Sequence, residues 1–184
     1  LEQHPEAREP RITLARMLVA AKQFEPAKAQ FEQILQRAPD DKDAVHAAGL
    51  LSMQIGDRAS AERHFRHLLD LGFAEPDSIR SYLGQIAEEG KRYDEAIGWY
   101  KAVAPGSRFV AAQVRVAQVL LASGRMQDAR RHLQVLAHDG AADERPQFIL
   151  AEAQILREAG RNEEAFDVLD DALRQTPDNI DLLY

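Results

Sequence analysis

The sequence predicts an all-α protein, an α-solenoid of tandem helix–turn–helix hairpins, and three observations carry that expectation. Strong helix formers (Ala, Leu, Glu, Gln and Arg) dominate, and β-branched runs are missing. Apolar residues recur at spacings of three and four, as in Leu14, Met17, Leu18 and Ala21 and again in Ala27, Phe31, Ile34 and Leu35. That is the period of a helix, and no stretch alternates long enough to be read as a strand. Finally, an alanine followed four residues later by an aromatic or leucine returns at Ala27, Ala61, Ala96, Ala129 and Ala165, in steps of 34, 35, 33 and 36 residues.

Each repeat has the same internal order. Twelve residues before each alanine stands a small residue: Ala15, Gly49, Gly84, Ala117 and Ala153. Between the two, Gly56, Gly90, Gly124 and Gly160 read as helix stops, and the first unit alone has Ala21-Lys22-Gln23-Phe24 there. The physical reading is a hairpin whose two helices approach closely at the small pair, with Phe31, Phe65, Tyr100, Leu133 or Leu169 filling the space between hairpins. The helices are expected at 8–21 with 25–37, 41–55 with 58–71, 76–89 with 93–103, 108–123 with 126–138, and 145–159 with 162–175. Asp40, Asp77, Ser107 and Asp178 are the expected N-caps.

These residues resemble the tetratricopeptide repeat, a helix–turn–helix unit of about 34 residues. Tyr82-Leu83-Gly84, Gly90, Tyr93, Ala96 and Tyr100 carry the resemblance most fully, and Pro39 and Pro177 match the proline that closes the unit. The aromatic expected early in the first helix is missing from most units. The resemblance covers essentially the whole chain and implies one domain forming a right-handed superhelix. Its repeats would span about 8–41, 42–76, 77–109, 110–145 and 146–179, with 1–7 as the tail of a preceding repeat and 180–184 as the start of a further one. Leu182, Leu183 and Tyr184 are not a polar capping face, so end-to-end self-association is expected.

The resemblance also implies a function: binding a peptide or helix of a protein partner in a concave groove lined by the first helices. In this register the groove residues are Arg16 and Val19; His46, Leu50 and Met53; Gln85 and Glu88, with Ser81 beside them; Val114, Gln118 and Leu121; and Leu150, Gln154 and Arg157. Relatives that grip a C-terminal carboxylate use Lys and Asn at such places. Ile12, His46 and Ser81 stand where the first lysine belongs, so that clamp is not expected. Gln85, Gln118 and Gln154 occupy one equivalent site in successive units, a row of carboxamides that offers donors and acceptors to an extended backbone. A self-stacking structural segment and a recruiting segment of a larger enzyme are the alternative roles.

Composition narrows the chemistry. The 184 residues are 45% hydrophobic and 29% charged, a mixture that folds, and no apolar run reaches membrane-spanning length. A net charge of −7 argues against nucleic acid as a partner. Without cysteine there is no thiol nucleophile and no Cys-ligated metal. His64 and His67 have ligand spacing but no third ligand nearby in sequence, and with Phe65 pointing inward both are expected on the outer surface. Gly84 to Gly90-Lys91 has the wrong spacing for a phosphate loop. The acid pairs Glu88-Glu89, Asp94-Glu95 and Glu163-Glu164 belong on solvated faces or helix starts. Trp99 reads as a partly buried anchor. No catalytic constellation, metal or cofactor is expected. The Ala- and Arg-rich, Lys-poor composition points to a bacterium; cytoplasm and periplasm both suit the chain, with the envelope favoured.

Overall fold

The computed structural model describes residues 8–175. Ten helices follow one another: α1 (Arg8–Ala20), α2 (Phe24–Leu35), α3 (Lys42–Ile55), α4 (Arg58–Asp70), α5 (Pro76–Glu89), α6 (Tyr93–Lys101), α7 (Phe109–Ala122), α8 (Met126–Asp139), α9 (Arg145–Glu158) and α10 (Asn162–Gln175). No strand occurs among the described residues. Every expected helix exists, with ends within two residues of the expected ones. The chain divides into two compact units between Ile86 and Ala87, within α5.

In the first unit Ala15, Ala27, Phe31, Ile34, Ala44, Ala48 and Leu51 form one apolar cluster. The ring of Phe65 is fully buried and stacks on Tyr82 at a centroid distance of 5.1 Å. Gly49 is small for a concrete reason: a Cβ there would lie 2.7 Å from Cε1 of Phe65. In the second unit Ala96, Tyr100, Ala117, Val116, Leu120, Ala129, Leu133 and Phe148 belong to a larger cluster on which Trp99 packs half-buried. Ala153, Leu156 and Ala165 form a smaller one with Val168 and Leu169 against it. All ten small residues of the repeat pattern are buried.

The five turns inside the hairpins share one hydrogen-bond pattern. The N–H groups of Lys22, Gly56, Lys91, Gly124 and Gly160 donate three residues back, to the carbonyls of Val19, Met53, Glu88, Leu121 and Arg157. The next N–H, in Gln23, Asp57, Arg92, Arg125 and Arg161, donates five residues back, to Leu18, Ser52, Ala87, Leu120 and Leu156. This is the Schellman closure, which needs a residue with positive φ. Gly56, Gly124 and Gly160 supply it at φ 80°, 79° and 76°. In the third unit the sequence reading is corrected: Gly90 lies one residue early, and Lys91 takes the left-handed position at φ 57°, as Lys22 does in the first. The carbonyls of Gln23, Asp57, Arg92, Arg125 and Arg161 then accept from the amides of Ala27, Ala61, Ala96, Ala129 and Ala165, starting each second helix at the same distance from the turn.

Caps differ from expectation. Asp41, not Asp40, accepts from the amide of Ala44 at 3.1 Å, and Asp57 accepts from Ser60 at 3.1 Å. Asp77 lies inside the first turn of α5, where its backbone carbonyl accepts from the hydroxyl of Ser81. Arg108, not Ser107, precedes α7. Asp178 lies outside the described residues.

His64 is also corrected. It is half-buried, and its Nε2 is shielded from solvent with no hydrogen-bond partner. His132, at the equivalent place three residues after Ala129, shows the same shielded Nε2. Burial lowers both imidazoles, that of His132 to about 4, assisted by nearby Lys101 there and by Arg63 at His64. The helical period explains the position: three residues beyond the close-contact alanine, a side chain flanks the buried stripe rather than opposing it. His67 is half-buried at the surface, with Nε2 3.3 Å from the carbonyl of Pro39 and 3.1 Å from Asp40.

Two outcomes follow. Lys91→Gly removes a side chain from a left-handed residue and should raise stability in urea unfolding by about 0.5–1 kcal/mol, the Cβ penalty exceeding glycine's entropy cost. Second, the folded chain holds His64 and His132 neutral, whereas an unfolded imidazole titrates at its ordinary 6.5. Their contribution to stability is therefore complete above that value and is lost as pH falls below it, for His132 toward about 4. Unfolding measured between about pH 7.5 and pH 5 should show a flatter dependence for the double variant His64→Leu, His132→Leu than for the parent.

Candidate interaction surface on the first helices

Within the first unit three of the expected groove residues, Arg16, His46 and Leu50, line one cleft, and Val19, Met53, Ser81 and Gln85 lie outside it. It lies between α1 and α3, has a volume of about 500 Å³, and is lined by Ile12, Arg16, Phe31, His46, Ala47 and Leu50, with Arg8, Glu9 and Asp43 at its rim. The apolar floor comes from the core itself, since Phe31 is buried and Ile12 and Ala47 pack against the same cluster. Arg8 closes one side by donating from Nε to Asp41 at 2.7 Å and from Nη2 to Asp43 at 3.4 Å. Arg16 is exposed and has no ion-pair partner among the described residues. The ring of His46 lies 4.9 Å from that of Phe73, tilted by 50°, and burial lowers its pKa, so it is a neutral donor or acceptor at the wall of the cleft. Leu50 is 36% exposed, Val19 is exposed and Met53 is half-buried. Gln85, near the unit's boundary, is exposed on α5.

In the second unit the expected residues are more engaged with the protein. Glu88 accepts from the hydroxyl of Tyr100 at 3.0 Å and from Nη2 of Arg115 at 2.8 Å. Burial raises the Tyr100 phenol to about 12. Nη1 of Arg115 donates to Gln118 at 2.9 Å, and Nε2 of Gln154 donates to Glu158 at 2.9 Å. Gln118 and Gln154 therefore already have partners on their own helices. Val114 and Leu121 are half-buried and pack on the core, whereas Leu150, Gln154 and Arg157 are exposed.

Three participants were not singled out from the sequence: Arg115, which ties Glu88 to Gln118; Phe73, which backs His46; and Arg8, which fixes the rim of the cleft. Arg115 had a signal, because it stands two residues before the small Ala117, on the face turned toward the preceding first helix. Phe73 had none, since it lies in a loop outside the repeat pattern. Among the described residues no helix is long and apolar enough to cross a membrane, and no group of three or more His, Asp and Glu side chains is arranged to hold a metal.

Comparison with known proteins agrees with this architecture. Family models described as tetratricopeptide repeat match residues 1–51, 46–111 and 114–180. A TPR repeat-containing protein of Pseudomonas aeruginosa is 36% identical over 112 residues, which is 59% of this chain. The aligned part spans only 18% of that relative's length. Among solved structures, YrrB, described as a TPR protein with an unusual peptide-binding site, is 17% identical with a TM-score of 0.62, covering 95% of this chain and 89% of its own. MamA from Desulfovibrio magneticus RS-1 is 13% identical with a TM-score of 0.69, covering 96% and 100%. At such identities these two structures speak for the fold alone. Ten helices in five hairpins among the described residues, one turn geometry and family models matched along most of the sequence have a single reading: the chain is an all-α helical repeat solenoid that belongs to the tetratricopeptide repeat family.

Proposed function

We propose that the chain is a non-enzymatic adaptor and that its first helices hold an extended or helical segment of a partner protein. The observation that carries this reading is the cleft between α1 and α3, where an apolar floor sits beside the exposed Arg16 and the neutral, half-buried His46. Such a lining suits an apolar side chain next to a hydrogen-bonding or acidic group on the same segment. YrrB's peptide-binding site gives a precedent for the fold in that role. In the second unit Leu150 and Arg157 on α9 offer a similar mixture. A carboxamide row acting on a peptide backbone requires Gln118 and Gln154 to exchange their present partners, Arg115 and Glu158.

Self-association is a second reading. Leu182, Leu183 and Tyr184, on which the sequence placed it, lie outside the described residues. Leu14, Met17 and Phe166 favour it instead, as exposed large apolar side chains on α1 and α10.

Leu50→Glu tests the groove. Binding energy concentrates in a few desolvated residues, so this change should weaken the partner by at least about tenfold, or about 1.4 kcal/mol, in isothermal titration. Circular dichroism should stay unchanged, because Leu50 is partly exposed. His67→Ala, on a second helix, should bind normally. Full binding by Leu50→Glu together with loss in His67→Ala would put the partner on the second helices and contradict the proposal.

A further inference from the structure

The repeat provides an internal standard for how neighbouring second helices are joined. Between α2 and α4, Lys28, one residue after Ala27, reaches across to Asp57 at 2.6 Å and lies 3.6 Å from Glu32. Between α8 and α10, Arg130, one residue after Ala129, reaches across to Glu164 at 2.9 Å. Between α6 and α8 the same place, one residue after Ala96, is Ile97, and Arg125 holds the place of Asp57. An isoleucine has no charge to bridge with, and Arg125 turns instead to Asp94 and Asp128, at 3.0 Å each. What remains is an open groove of about 370 Å³ with an apolar floor, made by the buried Ile97 and, from α7, the buried Leu120.

The rim of this groove departs from the repeat as well. Val135 is 52% exposed at a place where the other hairpins have Gln33, His67, Ala102 and Asp171. Lys101 stands where Glu32 stands on α2; it is exposed and forms no ion pair among the described residues. Arg131 is 75% exposed along its side chain and reaches only Asp128, at 3.8 Å, a carboxylate that Arg125 already holds more closely. His132 at the wall adds no charge near neutral pH, because burial lowers its imidazole to about 4. The lining thus sets Lys101, Arg125 and Arg131 against Asp128 alone, in a chain whose net charge is −7. Lys101 on α6 and Arg131 on α8 are the two cations left to meet a charge from outside.

We propose that this groove docks a segment of a partner protein that carries an apolar side chain flanked by carboxylates. The apolar side chain seats on Ile97 and Leu120 beside Val135, and the carboxylates meet Lys101 and Arg131. The site lies on the second helices of the second unit; it goes beyond the first-helix reading and does not depend on it. Nucleic acid suits it poorly, because phosphate binding needs a run of cations and Asp128 interrupts this one. A lipid surface also suits it poorly. Interfacial binding needs a protruding apolar face, whereas Ile97 and Leu120 sit at the bottom of a groove and only Val135 is exposed.

Fluorescence anisotropy of a short, labelled, blocked peptide in which Leu and Glu alternate tests this on the 184-residue chain. The expected dissociation constant is about 0.1 mM or tighter, weakening when salt is raised from about 0.05 to about 0.5 M. Peptides with Lys in place of Glu, or Ser in place of Leu, should bind at least about tenfold more weakly. Lys101→Glu and Val135→Gln restore the kind of residue found on α2 and should each weaken the Leu–Glu peptide at least about fivefold. Both side chains are exposed, so circular dichroism should stay unchanged. Leu50→Glu, in the cleft of the first unit, should bind this peptide as the parent does. No binding at about 1 mM peptide, or binding that neither Lys101→Glu nor Val135→Gln weakens, overturns the proposal. Loss in Leu50→Glu alone overturns it too, and places the peptide in the α1–α3 cleft. Retention on duplex DNA or on phosphatidylserine vesicles that Lys101→Glu abolishes, with no binding of the Leu–Glu peptide, overturns it in favour of a phosphate-bearing partner.

Discussion

The fold depends on the close approach of paired helices at small residues. Where Gly49 faces Phe65 there is no room for a single Cβ, and the ring itself is fully buried against Tyr82. In all five hairpins the pattern has alanine or glycine on the first helix and alanine on the second, all buried. Packing this tight cannot yield by small adjustments, because protein interiors are filled to the density of organic crystals. The larger side chains that follow one turn later, from Phe31 to Leu133, have their places decided by how near the backbones come.

The turns make that approach reproducible. One closure pattern ends each first helix, and one carbonyl-to-alanine bond starts each second helix, so the small residues are brought to the same depth in all five hairpins. Polar ties then lock neighbouring hairpins. Lys28 is buried and paired with Asp57 at 2.6 Å, and Arg130 bridges Glu152 and Glu164 at 3.0 and 2.9 Å. Lys28 holds Asp57 well below the usual carboxylate range, aided by the hydroxyl and amide of Ser60. These groups act as pairs: removing one member leaves a shielded charge, which costs far more than the pair itself contributes.

Most of this architecture was legible in the sequence because it rests on residue size at fixed spacing. The five alanines and five small partners needed only counting, and the helix ends followed from the breakers. The third turn was misread because Gly90 and Lys91 are adjacent, and the sequence signal for a left-handed residue is glycine, which here stands one place early. The cap of α3 was misassigned between Asp40 and Asp41 for the same reason, two equivalent residues side by side. The groove was legible only in outline. Helical register indicates that Glu88 and Gln118 belong to one face, but not that Arg115 occupies both, since that depends on the reach of a long side chain across a helix pair. His64 was misplaced because a three-residue offset leaves a side chain between core and solvent, and its neighbours decide which prevails.

Register therefore stands behind both the core and the surface, and a substitution series measures it directly. Ala27→Leu, Ala61→Leu, Ala96→Leu, Ala129→Leu and Ala165→Leu should each overpack a close contact and cost about 1–3 kcal/mol. In thermal unfolding that corresponds to a fall of about 2–4 °C for each kcal/mol in a chain of this size. Ala111→Leu, at an exposed position of α7, is the control and should leave the melting temperature nearly unchanged. Five depressed melting temperatures beside an unchanged control are the predicted result. Equal melting temperatures at the alanines and at the control would contradict the close approach on which the fold is argued to depend.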